Sequence, residues 1–162
     1  MTKWIDEFAD SLGEDARRAN AQRQHDLMRE GLIQEHGPAF FDKFKAALRA
    51  QSSELNDRLV GTSYKGVTAS DDRNPASILV RSQNGASSLT CTVNYKARKM
   101  VTQTARTGSL SNAPKVRDFI LCIDTDEPRG VWLRSEDGAQ EYRDPAELAT
   151  KLLREAFTGK WE

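Results

Sequence analysis

A chain of 162 residues with 24 basic and 24 acidic side chains carries no formal net charge, which speaks against a surface built throughout for nucleic acid. Its hydrophobic fraction of 38% and charged fraction of 30% suit one soluble domain with a core of its own. No apolar run approaches the ~20 residues that cross a bilayer, and the charged start MTKWIDEFADSLGEDA has no apolar signal core, so a cytoplasmic protein without a membrane role is expected.

Residues 2–12 place Trp4, Ile5, Phe8 and Leu12 at helical spacing. Beyond Gly13 the chain is rich in charge and alanine, and Glu14 stands four residues before Arg18, the favourable order for a helical ion pair. The apolar stripe is thin here: Ala16, Ala19, then Leu27 and Met28. A first helix is predicted to about residue 34, ended by His36-Gly37-Pro38. Pro38 then opens a second helix, in which Phe41, Phe44, Leu48, Leu55 and Leu59 form the clearest amphipathic stripe. Gly61 occupies a C-cap position.

After Gly61 the period changes from 3.6 to 2. Strands are predicted from Tyr64 to Ala69 and over SILVRSQ (77–83), followed by the hairpin signal Asn84-Gly85. In SSLTCTVNY, Leu89, Cys91, Val93 and Tyr95 alternate with Thr90, Thr92 and Asn94. KMVTQTAR either returns as a new strand or continues this one. TGSLSNAP (107–114) has loop composition. RDFILCID, GVWLRSE and AQEYR follow as strands separated by EPRG and Asp137-Gly138. Asp144-Pro145-Ala146-Glu147 opens a last helix with a cap, an N1 proline and an acid at N3. Leu148, Leu152, Leu153, Ala156 and Phe157 give it a buried side.

The predicted class is α+β: two N-terminal helices, a five- to six-stranded antiparallel sheet, and a C-terminal helix packed on one sheet face. A single domain over 1–162 is expected, with a partly detached N-terminal helix (1–36) and an α+β core (37–162).

Little in the sequence bears catalytic chemistry. His25 and His36 fall short of the three or four ligands of a zinc site, so neither metal nor cofactor is expected. Cys91 and Cys122 sit inside strand-like runs, where a thiol is inert packing. No nucleophile elbow or phosphate-binding glycine loop occurs. Asp124, Asp126 and Glu127 cluster after an apolar strand, a placement open to acid–base work yet equally that of a hairpin turn; Asp71-Asp72 reads as loop.

Charge is unevenly spread. Residues 73–117 hold eight bases and no acid. If 88–98 runs as one strand, Thr90, Thr92, Asn94, Lys96 and Arg98 share a polar face. Lys96, Arg98, Lys99, Arg106, Lys115 and Arg117 are then candidates for an anion or single-stranded nucleic acid, with Trp132 as a stacking partner. A solvated sheet face accounts for the same residues. Trp4, Ile5, Phe8 and Leu12 are candidates for docking on a protein partner or on a second copy; Asp6, Glu7 and Asp10 beside them disfavour a membrane surface. The leading expectation is a non-catalytic interaction module acting through the N-terminal helix, as a homo-oligomer or with a protein partner. Nucleic-acid binding through the basic face is the alternative, and an enzyme using the 124–127 acids a third.

Overall fold

The computed structural model describes residues 2–59, 66–71, 74–83, 87–107, 114–126 and 130–158, and of residues 107, 114–121 and 126 the backbone alone. The elements are α1 (Lys3–Leu59), β1 (Val67–Ser70), β2 (Ser77–Ser82), β3 (Ser87–Asn94), β4 (Lys99–Thr107), β5 (Pro114–Asp126), β6 (Gly130–Ser135), β7 (Glu141–Tyr142) and α2 (Pro145–Thr158). The strands form one antiparallel sheet in sequence order, β1 to β7. The α+β class stands, and two details are corrected. One helix replaces the expected pair, and seven strands replace five or six. The seventh, β7, is two residues long. The predicted features at Gly61, Asn84-Gly85 and the 107–114 loop lie wholly or largely outside the described residues.

The core explains why α1 does not break at Pro38. Ile33, Gly37, Phe41, Phe44, Leu48 and Ser52 are buried along one face on both sides of the proline. Proline inside a helix costs about 3 kcal/mol, through a lost N–H and a clash with the carbonyl four residues back. Each large apolar side chain buried is worth about 1.5–3 kcal/mol. Several such side chains on one seam outweigh the proline, and both Pro38 and Gln34 face solvent, where water can solvate the unpaired Gln34 carbonyl. Gly37 has a packing role rather than a breaking one. A Cβ there would stand 2.8 Å from the Tyr95 ring, so glycine lets the helix lie directly on that ring.

The opposing layer is the inward face of the sheet. Ile78 and Val80 of β2, Leu89, Cys91 and Val93 of β3, Met100 of β4, Ile123 of β5, Leu133 of β6 and Tyr142 of β7 join Phe41, Phe44, Leu48, Leu148 and Leu152 in one cluster. The alternation predicted for β3 is present, buried and exposed by turns. α1 packs on β1, β2, β5 and β6, and α2 on β3, β4 and β7. Gln51 joins the helices by donating to Ala146 O (3.3 Å) and Thr150 Oγ1 (3.0 Å). At the start of α2, Asp144 Oδ1 accepts from Ala146 N–H at 2.9 Å, the expected cap.

Polar side chains fix the edge. Asn56 accepts from Val67 N–H (2.5 Å) and donates to Val67 O (2.6 Å), so an amide from α1 satisfies the first residue of β1. Buried Lys45 donates to Pro75 O at 3.1 Å, tying the β1–β2 connection to the helix. No helix among the described residues is long and apolar enough to cross a membrane.

Two outcomes test this packing. Gly31 has open space around it, so Gly31→Ala is expected to raise stability by up to about 1 kcal/mol through helix propensity. Gly37→Ala gains the same propensity but drives a methyl into Tyr95, and a net loss of about 1 kcal/mol is expected; urea denaturation reads both. Burial first, then the Asp42 carboxylate, pushes the Tyr95 phenol from 10.0 up to about 12. The neutral ring is the form the fold favours, so its contribution is whole below pH 10.0 and is lost as pH rises through about 12. Tyr95→Phe is expected to flatten the fall in stability across that interval, measured by denaturation at stepped pH.

Candidate interaction surface

The first half of α1 leaves the domain. Every residue from 2 to 28 is exposed, an overhang of about 39 Å at 1.5 Å per residue. Trp4 is 64% exposed, Ile5 49%, Phe8 58%, Leu12 54%, and Leu27 and Met28 61% each. Side-chain pairs four residues apart support the helix: Lys3–Glu7 (3.9 Å), Arg18–Glu14 (2.6 Å) and Gln22 to Asp26 (2.9 Å). At about 100° per residue, Ile5, Leu12 and Ala19 fall on the helix side that Gly37, Phe41, Phe44 and Leu48 turn toward the sheet. The apolar stripe therefore continues past the sheet with nothing covering it among the described residues.

At the base of the overhang α1 is anchored by charge. Asp124 of β5 pairs with Arg29 of α1 and with Arg134 Nε of β6 at 3.2 Å. It also accepts from Thr125 N–H at 2.8 Å. Asp124 is therefore a structural bridge between helix and sheet, its side chain only 15% exposed. Beside it lies a cleft of about 480 Å³ whose walls include His25, Met28, Leu32 and Trp132. Trp132 pairs with Asp124 across the strands and is buried. The Arg143 guanidinium sits 4.1 Å from the centre of its ring. The Trp132 indole N–H and the Arg29 Nε–H are buried without a partner among the described residues. On the other side of the Arg29–Asp124 bridge, Asp26, Arg98, Lys99, Cys122 and Arg134 surround a cleft of about 310 Å³.

The basic candidates divide between the two ends of β4. β3 stops at Asn94, and residues 95–98 form a turn, so Lys96 and Arg98 lie in a turn rather than on an extended strand. Arg98 has φ 53°, the one non-glycine residue with positive φ among those described, a conformation that costs an L-residue about 1–2 kcal/mol. Its carbonyl accepts from Ile123 N–H at 2.9 Å, which holds the turn against β5. Lys99 stands 3.8 Å from Glu136. Arg106 is seven residues on, roughly 23 Å at strand rise, and on the opposite face by alternation. Register pairs Lys115 with Arg106 and Arg117 with Thr104. Trp132 shares a cleft with Arg29 and Asp124, and Asp124, its strand partner, stands nine residues along β5 from Lys115. Glu127 lies outside the described residues.

Sequence reasoning missed Arg29, Leu32 and His25 as members of a site. Arg29 meets Asp124 across 95 positions, and no local pattern marks such a pair. Leu27 and Met28 were visible as the far end of the thin stripe. His36 is exposed on α1. Burial raises the Cys91 thiol pKa strongly, leaving it inert, whereas Cys122 is half-buried. No group of three or more His, Cys, Asp or Glu residues suited to a metal ion occurs among the described residues.

No family model, no curated protein and no solved structure matches the chain.

Removing the bridging carboxylate leaves two guanidiniums facing each other. Breaking a fully buried pair costs about 3–5 kcal/mol; both arginines here are about a third exposed, so Asp124→Ala is expected to cost about 2 kcal/mol. Faster amide exchange over residues 29–33 in that variant would locate the loss at the helix base.

Proposed function

We propose that the protein is a non-catalytic interaction module whose overhanging N-terminal helix docks on a protein surface. One observation carries this reading: four large apolar side chains, Trp4, Ile5, Phe8 and Leu12, stand about half exposed or more on the part of the helix that overhangs the sheet. Large exposed apolar stretches rimmed by charge mark interaction sites. An uncovered helix in water is also marginally stable, so a partner supplies what the overhang lacks.

The two other readings have less to rest on. A nucleic-acid face would need the bases to form one surface, and Lys99 and Arg106 stand at opposite ends of β4. Trp132 is buried with a guanidinium already on its ring. An enzyme using Asp124 would need a carboxylate free to exchange protons, and Asp124 is held by two arginines.

Deleting residues 1–12 is expected to leave the domain's melting temperature unchanged and to abolish association. In the dilute full-length protein, amides 3–27 are expected to exchange fast and to become protected on association. A truncated chain that unfolds, or amides already protected in the monomer, would overturn the reading, because the tip would then belong to the core.

A further inference from the structure

Resting on that reading, we propose that the occupant of the overhang is a second copy of the chain. The two free helices pack antiparallel, with their sheets at opposite ends.

Charge sets the direction. Between Lys3 and Asp15 the helix holds five acids (Asp6, Glu7, Asp10, Glu14, Asp15) and one base. Between Ala16 and Arg29 it holds four bases (Arg17, Arg18, Arg23, Arg29) and one acid, Asp26. Antiparallel pairing lays the acidic half of each copy along the basic half of the other. Parallel pairing lays acids on acids and bases on bases, which is repulsive.

Spacing and size set the seam. Ile5, Ala9, Leu12, Ala16 and Ala19 recur at alternating intervals of four and three, the pattern of a helix buried against one neighbour. Three of the five are alanines, which let two helix axes approach closely.

Length sets the register. The sheet begins to cover α1 at about Arg29, so two overhangs slide together until each tip meets the other's base. Ala16 then faces Ala16 across the two-fold axis, and Ile5 faces Leu27. Ile5, Phe8, Leu12 and Leu27 lie within about 60° of the seam in this arrangement and Trp4 on its flank, while Met28 turns to the cleft beside Trp132. Each aromatic brings about 150–250 Å²; with two copies of Trp4, Phe8 and the aliphatic side chains, the contact reaches the roughly 1,200 Å² of a specific interface. The acidic tip of each copy ends beside the cleft where Arg98, Lys99 and Arg134 stand around Asp26 and Arg29. That places the basic turn next to Asp6 and Glu7 of the other copy.

The test combines light scattering with directed cross-linking in the full chain carrying Cys122→Ser. A dimer is expected. Raising salt to about 1 M, where charges are screened beyond roughly 3 Å, is expected to weaken it; a parallel pair would strengthen. Ile5→Asp with Leu12→Asp is expected to raise its dissociation constant at least about 100-fold, with the domain's melting temperature unchanged. On mixing an Ala9→Cys copy with an Arg23→Cys copy, oxidation is expected to join residue 9 to residue 23. Joining 9 to 9 and 23 to 23 would overturn the antiparallel arrangement. A monomer at every concentration would overturn self-pairing while leaving the docking arm to its own exchange test. A dimer indifferent both to the Ile5/Leu12 variant and to deletion of residues 1–12 would place the interface elsewhere and overturn both proposals.

Discussion

The seam between α1 and the inward face of the sheet is the constraint on which the rest of the molecule depends. Phe41, Phe44 and Leu48 are nearly fully enclosed, and the face they share runs unbroken from Ile33 to Ser52. Burying that face holds α1 continuous through a proline that would end a weaker helix. A continuous α1 is also what carries residues 2–28 clear of the domain. Had the chain turned at Pro38, the tip would be free to fold back. The same aromatic seam thus organises the core and exposes the apolar stripe.

Electrostatics does a second job at the edge of that seam. Arg29, Asp124 and Arg134 come from α1, β5 and β6 and close the point where the helix leaves the sheet. The carboxylate pairs with both guanidiniums, which leaves one net positive charge in a half-buried place and the Arg29 Nε–H without a partner among the described residues. The bridge also separates the two clefts. On one side Met28, Leu32 and Trp132 make an apolar wall; on the other Arg98, Lys99 and Arg134 make a cationic one.

Much of the fold was legible because the signals are local. The alternation of Leu89, Cys91 and Val93 identified β3, and Asp144-Pro145 marked the start of α2. The detached apolar cluster at Trp4, Ile5, Phe8 and Leu12 was visible as a break in the stripe. What failed was what depends on distant residues. Gly37-Pro38 is a helix stop on propensity alone, and only the ring of Tyr95, 58 positions on, shows why glycine stands there. AQEYR marked β7, of which only Glu141 and Tyr142 pair; the strand count fell short because KMVTQTAR reads equally as a continuation of the strand before it. Lys96 and Arg98 matched the alternation of β3, but the chain turns at Tyr95 and sends them to the end of the sheet. The Arg29–Asp124 bridge joins positions with no periodic relation, so nothing short of the fold could pair them.

Strand order has a further consequence, for the time course of folding. Each strand of the sheet pairs with its sequence neighbour, so the sheet zips from short-range contacts and gains little from waiting. α1 is different: it is made first, and of the strands it packs on, β1 and β2 follow soon after it whereas β5 and β6 come after residue 113. A chain synthesised from its N-terminus at about 5–20 residues per second holds Phe41, which lies by Ile123, Val131 and Leu133 in the finished fold, without that part of its cover for several seconds. During that interval the stretch of α1 awaiting β5 and β6 presents an apolar face, and the nascent helix has there the same need for cover that the finished protein keeps only along its tip.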